Sequence, residues 1–174
     1  MHSADLFRWF GGPIKRVAAI GKTLVSPMEG DDNFGAVLEF SSGVLGVLES
    51  CYNMVPSNNV LEVYGDRGTI VVNTNEHDVR CYAVNAATFP WAEHLNGLAP
   101  IQSNGNWWAF SDHQIQEAEL SPFPNYFRHW VDCLQNDREP VTTGEEGRAS
   151  LEIIVAGYEA SARAQFIDLK WQSW

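Results

Sequence analysis

Residues 33–72 read NFGAVLEFSSGVLGVLESCYNMVPSNNVLEVYGDRGTIVV, and this stretch decides the fold class. Phe34, Ala36, Leu38 and Phe40 alternate with period two, which predicts a strand with one buried face. Ser42-Gly43 reads as a two-residue turn, with the glycine free to take positive φ. Leu45 and Val47 continue the apolar pattern on the return strand. Val60 to Tyr64 predicts a further strand, Gly65-Asp66-Arg67-Gly68 a tight loop, and Thr69 to Val72 the strand after it. Val37, Val44 and Leu48 make the hairpin apolar on both sides. A sheet of this kind is expected to pack helices on one face and to be covered on the other by a further subunit.

Upstream, Ser3 to Phe10 predicts a short helix, with Ser3 as its N-cap and Asp5 in the first turn, where the helix dipole favours negative charge. Leu6, Trp9 and Phe10 are its expected buried face, and Gly11-Gly12-Pro13 stops it. Ile14 to Val25 reads as a strand and Ser26 to Asp32 as a polar connection. Downstream, Val79 to Val84 predicts one more strand. Asn85 to Leu120 then shows no period and is longer than a plain connection. It carries Phe89, Trp91, Trp107, Trp108 and Phe110 together with His94 and His113. Three readings stay open for those rings: the chain's own core, a subunit interface, or the wall of a ligand site.

Pro122 to Gln135 predicts a helix whose stripe is Phe123, Phe127, Trp130, Val131 and Leu134. Thr143 to Ala164 predicts the longest helix. Thr143 and Glu146 form a capping box, Leu151, Ile154, Val155 and Tyr158 are the expected core stripe, and Glu159 and Arg163 are spaced to pair. Phe166 to Lys170 is extended, as a last edge strand would be. Strands segregated from helices predict an α+β fold: an open, mainly antiparallel mixed sheet with helices packed on one face.

At 174 residues the chain has the length of a single domain, 1–174, able to bury a core without staples. A net charge of −11 repels phosphate, which argues against nucleic acid and anionic membrane as partners. No apolar run reaches the roughly 18 residues of a spanning helix. Cys51, Cys81 and Cys133 are odd in number, widely spaced and set among apolar residues. They are expected as reduced thiols in a cytoplasmic protein. No CxxC or HExxH spacing marks a metal site.

Three ordered blocks carry a family resemblance: DDNFGAVLEFSSGVLGVLES, NNVLEVYGDRGTIVV and FRHWVDCLQNDREPVTTGEEGRASLEIIVAGYEASA. Together they resemble the C-terminal domain of the Gfo/Idh/MocA oxidoreductases, the family of glucose–fructose oxidoreductase and inositol dehydrogenase. The opening HSADLFRWFGG is similar to that family's H-x-x-D-L-x-x-W segment. The resemblance implies a dihydrodipicolinate reductase-like C-terminal domain with a substrate site on one side of its sheet and often an oligomer interface on the other. It implies an NAD or NADP cofactor held by an N-terminal Rossmann domain, and hydride transfer at a sugar or polyol hydroxyl. It matches His2 to the catalytic histidine and Asp5 to an aspartate that holds a substrate hydroxyl.

The residue types suit those roles. Hydride loss from an alcohol needs a group to take the hydroxyl proton, and imidazole titrates near neutral pH. A carboxylate three residues on can accept a hydrogen bond from a neighbouring hydroxyl. The alternatives are a frayed terminal His2, an Asp5 that only charges the helix start, and a boundary role for His129; His77, in a turn, has none. An unrelated hydrolase built on His2, Asp5 and a loop histidine finds no nucleophile elbow or ligand spacing in support.

The chain departs from the family in lacking a Gly-x-Gly-x-x-Gly turn and a catalytic lysine segment. Met1 stands where the family's lead-in segment would end. The expectation is therefore the substrate and oligomerisation domain of a sugar or polyol oxidoreductase. It would have no cofactor site and little activity alone, and would assemble as a homo-oligomer through its sheet face. The alternative is a binding or assembly module, dimeric or partnered by a separate cofactor-binding subunit.

Overall fold

The computed structural model describes residues 2–25, 27, 29–55, 59–73, 75, 78–83, 102–104, 107–111 and 126–170, with backbone only for 102–104, 107–111 and 126. In chain order the elements are α1 (His2–Gly11), β1 (Ile14–Lys22), β2 (Asn33–Phe40), β3 (Leu45–Cys51), β4 (Val60–Tyr64), β5 (Gly68–Asn73), β6 (Asp78–Ala83), β7 (Gln102–Asn104), β8 (Trp107–Ser111), α2 (Tyr126–Gln135), α3 (Gly144–Arg163) and β9 (Ile167–Asp168). They fall into two compact units, 1–54 with 130–174, and 55–129. Every strand pair among the described residues is antiparallel, and the fold is α+β.

The first unit is a four-stranded sheet in the order β3-β2-β1-β9 with α3 packed against β1. Leu45 and Val47, expected to continue the buried pattern, are exposed, whereas Ala36, Leu38 and Leu48 share one face, with Val17 paired to Leu38 and Ala36 to Leu48. That face forms the core with Ala4 of α1 and Ile153 and Ala156 of α3. Ile14 and Leu38 are fully buried, each contributing roughly 1.5–3 kcal/mol by leaving water. The hairpin turn sits one residue earlier than expected. Gly43 N–H donates to the Phe40 carbonyl at 2.9 Å, with Ser41-Ser42 at the centre. Gly43 follows at φ +88°, the left-handed residue that a three-residue hairpin loop requires.

Asp32 is the buried anchor of the connection before β2. Its carboxylate accepts the Leu24 and Val25 N–H groups, both at 2.8 Å, and its backbone meets Lys22 and Tyr52. β1 therefore ends at Lys22 rather than Val25, because the chain turns to meet Asp32.

The buried faces of the helices differ from those expected. In α1, Ala4 and Arg8 are buried and Phe7 packs on the core, while Leu6, Trp9 and Phe10 are exposed. The helix starts at His2, so Ser3 lies within it and not at its cap. In α3, Ala149, Ile153, Ala156, Gly157 and Ala160 are buried, and Leu151, Val155 and Tyr158 are at least half exposed. Small residues bring the helix close to the sheet: a Cβ on Gly157 would stand 2.8 Å from Cζ of Phe34. In α2, Cys133 is buried whereas Phe127, Val131 and Leu134 are exposed. Phe123 and the rest of 122–125 lie outside the described residues.

The second unit is a five-stranded sheet in the order β4-β5-β6-β8-β7. β7 and β8 fall inside the segment that shows no period in the sequence. Trp107-Trp108-Ala109-Phe110 is apolar throughout, so it has no alternation to read, although aromatic residues favour strands. Register sets Trp108 opposite Cys81 and Phe110 opposite Val79. His77, Phe89, Trp91, His94 and His113 lie outside the described residues, as do the side chains of Trp107, Trp108 and Phe110. Cys51, Cys81 and Cys133 are free thiols.

Candidate functional site

His2 is the first helical residue of α1, and it is exposed. Asp5 follows at i+3, one turn along, where the two side chains share a helix face. The Asp5 side chain is 61% exposed. The helix thus presents an imidazole and a carboxylate side by side to solvent at its amino end, where the macrodipole favours the negative charge.

Asp5 is held from below. Ser150 of α3 donates its hydroxyl to Oδ1 of Asp5 at 3.0 Å. Arg8, only 4% exposed, donates through Nη1 to the Ser150 hydroxyl at 3.1 Å and to the Glu146 carbonyl at 3.1 Å. Its Nη2 stands 2.9 Å from Oε2 of Glu146, and Nη1 lies 4.0 Å from Oδ1 of Asp5. Burying a guanidinium is costly unless its charge is paired, and here Glu146, Ser150 and Asp5 face its two terminal nitrogens.

This use of Glu146 changes the capping box. Thr143 does cap α3, accepting the Glu146 N–H at 3.3 Å. The Glu146 carboxylate, however, pairs with Arg8. Arg8, Ser150 and Glu146 escaped the sequence reading because a charged residue between Phe7 and Trp9 reads as a solvated position. The signal present was the spacing of Ala4, Phe7, Arg8 and Gly11, a stripe of small and large residues on one face. His129, in α2, is half-buried, in keeping with a boundary position.

A recess of about 490 Å3 lies toward the other end of α3, between Lys22, Glu29, Asp31, Tyr158 and Ser161. Ser150 and Ser161 are eleven residues apart, ~16 Å along a helix axis. A hydrogen bond to Asp31, with partial burial, raises the Tyr158 hydroxyl above the ordinary tyrosine range. Tyr158 also meets the Phe34 ring edge-on at 5.8 Å. These contacts tie the loop before β2 to α3.

Residues 1–71 match the GFO/IDH/MocA C-terminal domain. The matched span runs from α1 through β4 into β5, so it includes His2, Asp5 and the hairpin. The chain is also similar to a D-apiose dehydrogenase of Paraburkholderia graminis, 25% identical over 176 residues, covering 98% of this chain and 43% of the relative. Among solved structures it resembles the WlbA dehydrogenase of Chromobacterium violaceum, solved with NADH and UDP-GlcNAcA. That likeness has a TM-score of 0.69 and 24% identity over 99% of this chain and 45% of the other. An oxidoreductase of Agrobacterium radiobacter, solved with NAD+, L-tartaric acid and magnesium, gives a TM-score of 0.70 and 18% identity over 97% and 47%. These two likenesses speak for the fold. The chain spans less than half the length of the curated relatives it matches.

A dinucleotide site of the Rossmann kind needs parallel strands and a glycine-rich turn into a helix. Among the described residues all strand pairs are antiparallel. Among those residues no group of His, Cys, Asp and Glu could hold a metal ion, and no helix is long and apolar enough to cross a membrane.

Proposed function

We propose that this chain is the substrate and oligomerisation half of an NAD(P)-dependent oxidoreductase acting on a sugar or polyol. In this reading His2 exchanges the proton of the reacting hydroxyl, and Asp5 accepts a hydrogen bond from a neighbouring hydroxyl of the same substrate. The observation that carries the reading is the exposed His2–Asp5 pair, one helical turn apart, with Asp5 fixed from the protein side by Ser150. Polyols offer adjacent hydroxyls at the spacing that such a pair would meet. Positioned proton transfer by a side chain contributes typically about 10²–10⁴-fold to rate. The names of the relatives support the substrate class, and the family match covers both residues.

The proposal includes a cofactor-binding domain or subunit that brings the nicotinamide. The isolated 1–174 chain is accordingly expected not to bind NADH tightly, and sub-micromolar binding in a fluorescence titration would contradict that. The test of function is the native polypeptide that contains this sequence, assayed with NAD+ and NADP+ against D-apiose and a panel of aldoses and polyols. Turnover that falls about 100-fold or more in His2→Asn supports the reading; turnover unaffected by that change refutes the role of His2.

The open face of the first sheet favours an assembly role alongside catalysis. Ile20, Val37 and Val47 are 68%, 42% and 75% exposed there, and Val37 and Val47 are direct cross-strand partners. A second copy of the chain packing on this face would remove them from water.

A further inference from the structure

We infer that Ser150, oriented by Arg8, is a positioning residue for Asp5, and so sets the affinity for the substrate hydroxyl. The inference deepens the proposed function and rests on it. A serine hydroxyl has one proton to donate. Arg8 Nη1, a donor only, occupies the Ser150 oxygen at 3.1 Å. The proton of Ser150 is thereby directed at Oδ1 of Asp5, 3.0 Å away. Arg8 cannot itself turn away, because Glu146 engages it twice, through its carbonyl and its carboxylate.

The chain Glu146–Arg8–Ser150–Asp5 therefore runs from a partly buried ion pair between α3 and α1 to an exposed carboxylate on α1. A hydrogen bond that ends on a carboxylate is among the stronger kinds, and here it fixes a side chain that would otherwise choose among rotamers at 61% exposure. Oδ1 is committed to the protein, while most of the carboxylate surface remains open to a ligand hydroxyl. An Asp5 held in one rotamer loses less freedom on binding. The consequence belongs to binding more than to the chemical step, since His2 takes no part in the chain of bonds.

The experiment uses the native polypeptide that contains this sequence, with D-apiose and the aldose and polyol panel as probes. Ser150→Ala is expected to raise KM about tenfold while kcat stays within about twofold. Ser150→Thr, which keeps the hydroxyl, is expected to return KM to near the wild-type value. Thermal unfolding of each variant separates loss of fold from loss of positioning, and a role in stability alone would lower the midpoint without the KM-against-kcat split. Wild-type turnover with an unchanged KM in Ser150→Ala overturns this inference and leaves the proposed function standing. Wild-type protein that turns over none of the probes overturns the dehydrogenase reading, and this inference with it.

Discussion

Glu39, near the end of β2, shows how a single side chain ties stability to pH. Lys15 Nζ reaches its Oε1 at 3.0 Å and Arg16 Nε its Oε2 at 2.6 Å, across the β1–β2 ladder. The hydrogen bond from Lys15, then that from Arg16, lowers the Glu39 carboxyl below its ordinary value. The folded state therefore binds this proton less readily than the unfolded chain does. The contribution to stability is present above the ordinary glutamate range and is lost as pH falls through the lowered folded value. Glu39→Gln should remove that acid-side decline, as read from urea midpoints across a pH series. Cys81 has the opposite sign. Burial pushes its thiol up to about 11, so the folded state keeps its proton where an exposed thiol has lost it. Alkylation of the native protein at pH 8 is expected to label the half-buried Cys51 ahead of Cys81, and mass spectrometry of the peptides reads the order. Neither effect is legible in the sequence, because each depends on a neighbour that the fold delivers.

At the scale of elements, the helices meet the sheet through small residues. Gly11 closes α1 directly over Phe40, where a Cβ would stand 2.3 Å from Cε1 of that ring. Phe40 is buried in the core and has little room to retreat. Gly11→Ala is expected to cost about 1–3 kcal/mol by overpacking, seen as a lower urea midpoint with an unchanged slope. Thr143→Ala should cost about 1 kcal/mol in the same measurement, since it removes the oxygen that caps α3. The elements themselves were legible. Period-two alternation located β2, and the β4 prediction matches residue for residue, while the Thr143 cap located α3. The faces were less so. A helix such as HSADLFRWFG is apolar at five of its ten positions, on more than one side, and hydrophobicity alone does not say which side is inward. Ala4, Gly11, Ala149, Ala156 and Gly157 mark the close approach, yet small residues weigh little in a search for apolar stripes.

For the whole molecule, the open face of the first sheet is the feature with a consequence. Under the proposed assembly role, sedimentation across a concentration series should show a dimer or larger species. Val47→Lys, placed at a 75% exposed position, should shift it to monomer without lowering the thermal midpoint. A strict monomer in the unsubstituted protein would refute the assembly role. The α+β class, the six strands β1 to β6, the Thr143 cap of α3 and the family resemblance could be read from the chain by itself, because they rest on local period, caps and motifs. His2 and Asp5 were matched to site roles only through the family resemblance, and those roles remain part of the proposal. Only the tertiary structure decided that Asp5 is held by Ser150, that Arg8 is buried against Glu146, and that WWAF is a strand. Those facts join residues up to 145 positions apart, or turn on pairing between strands, and no local pattern records which distant groups the fold will bring within 3 Å.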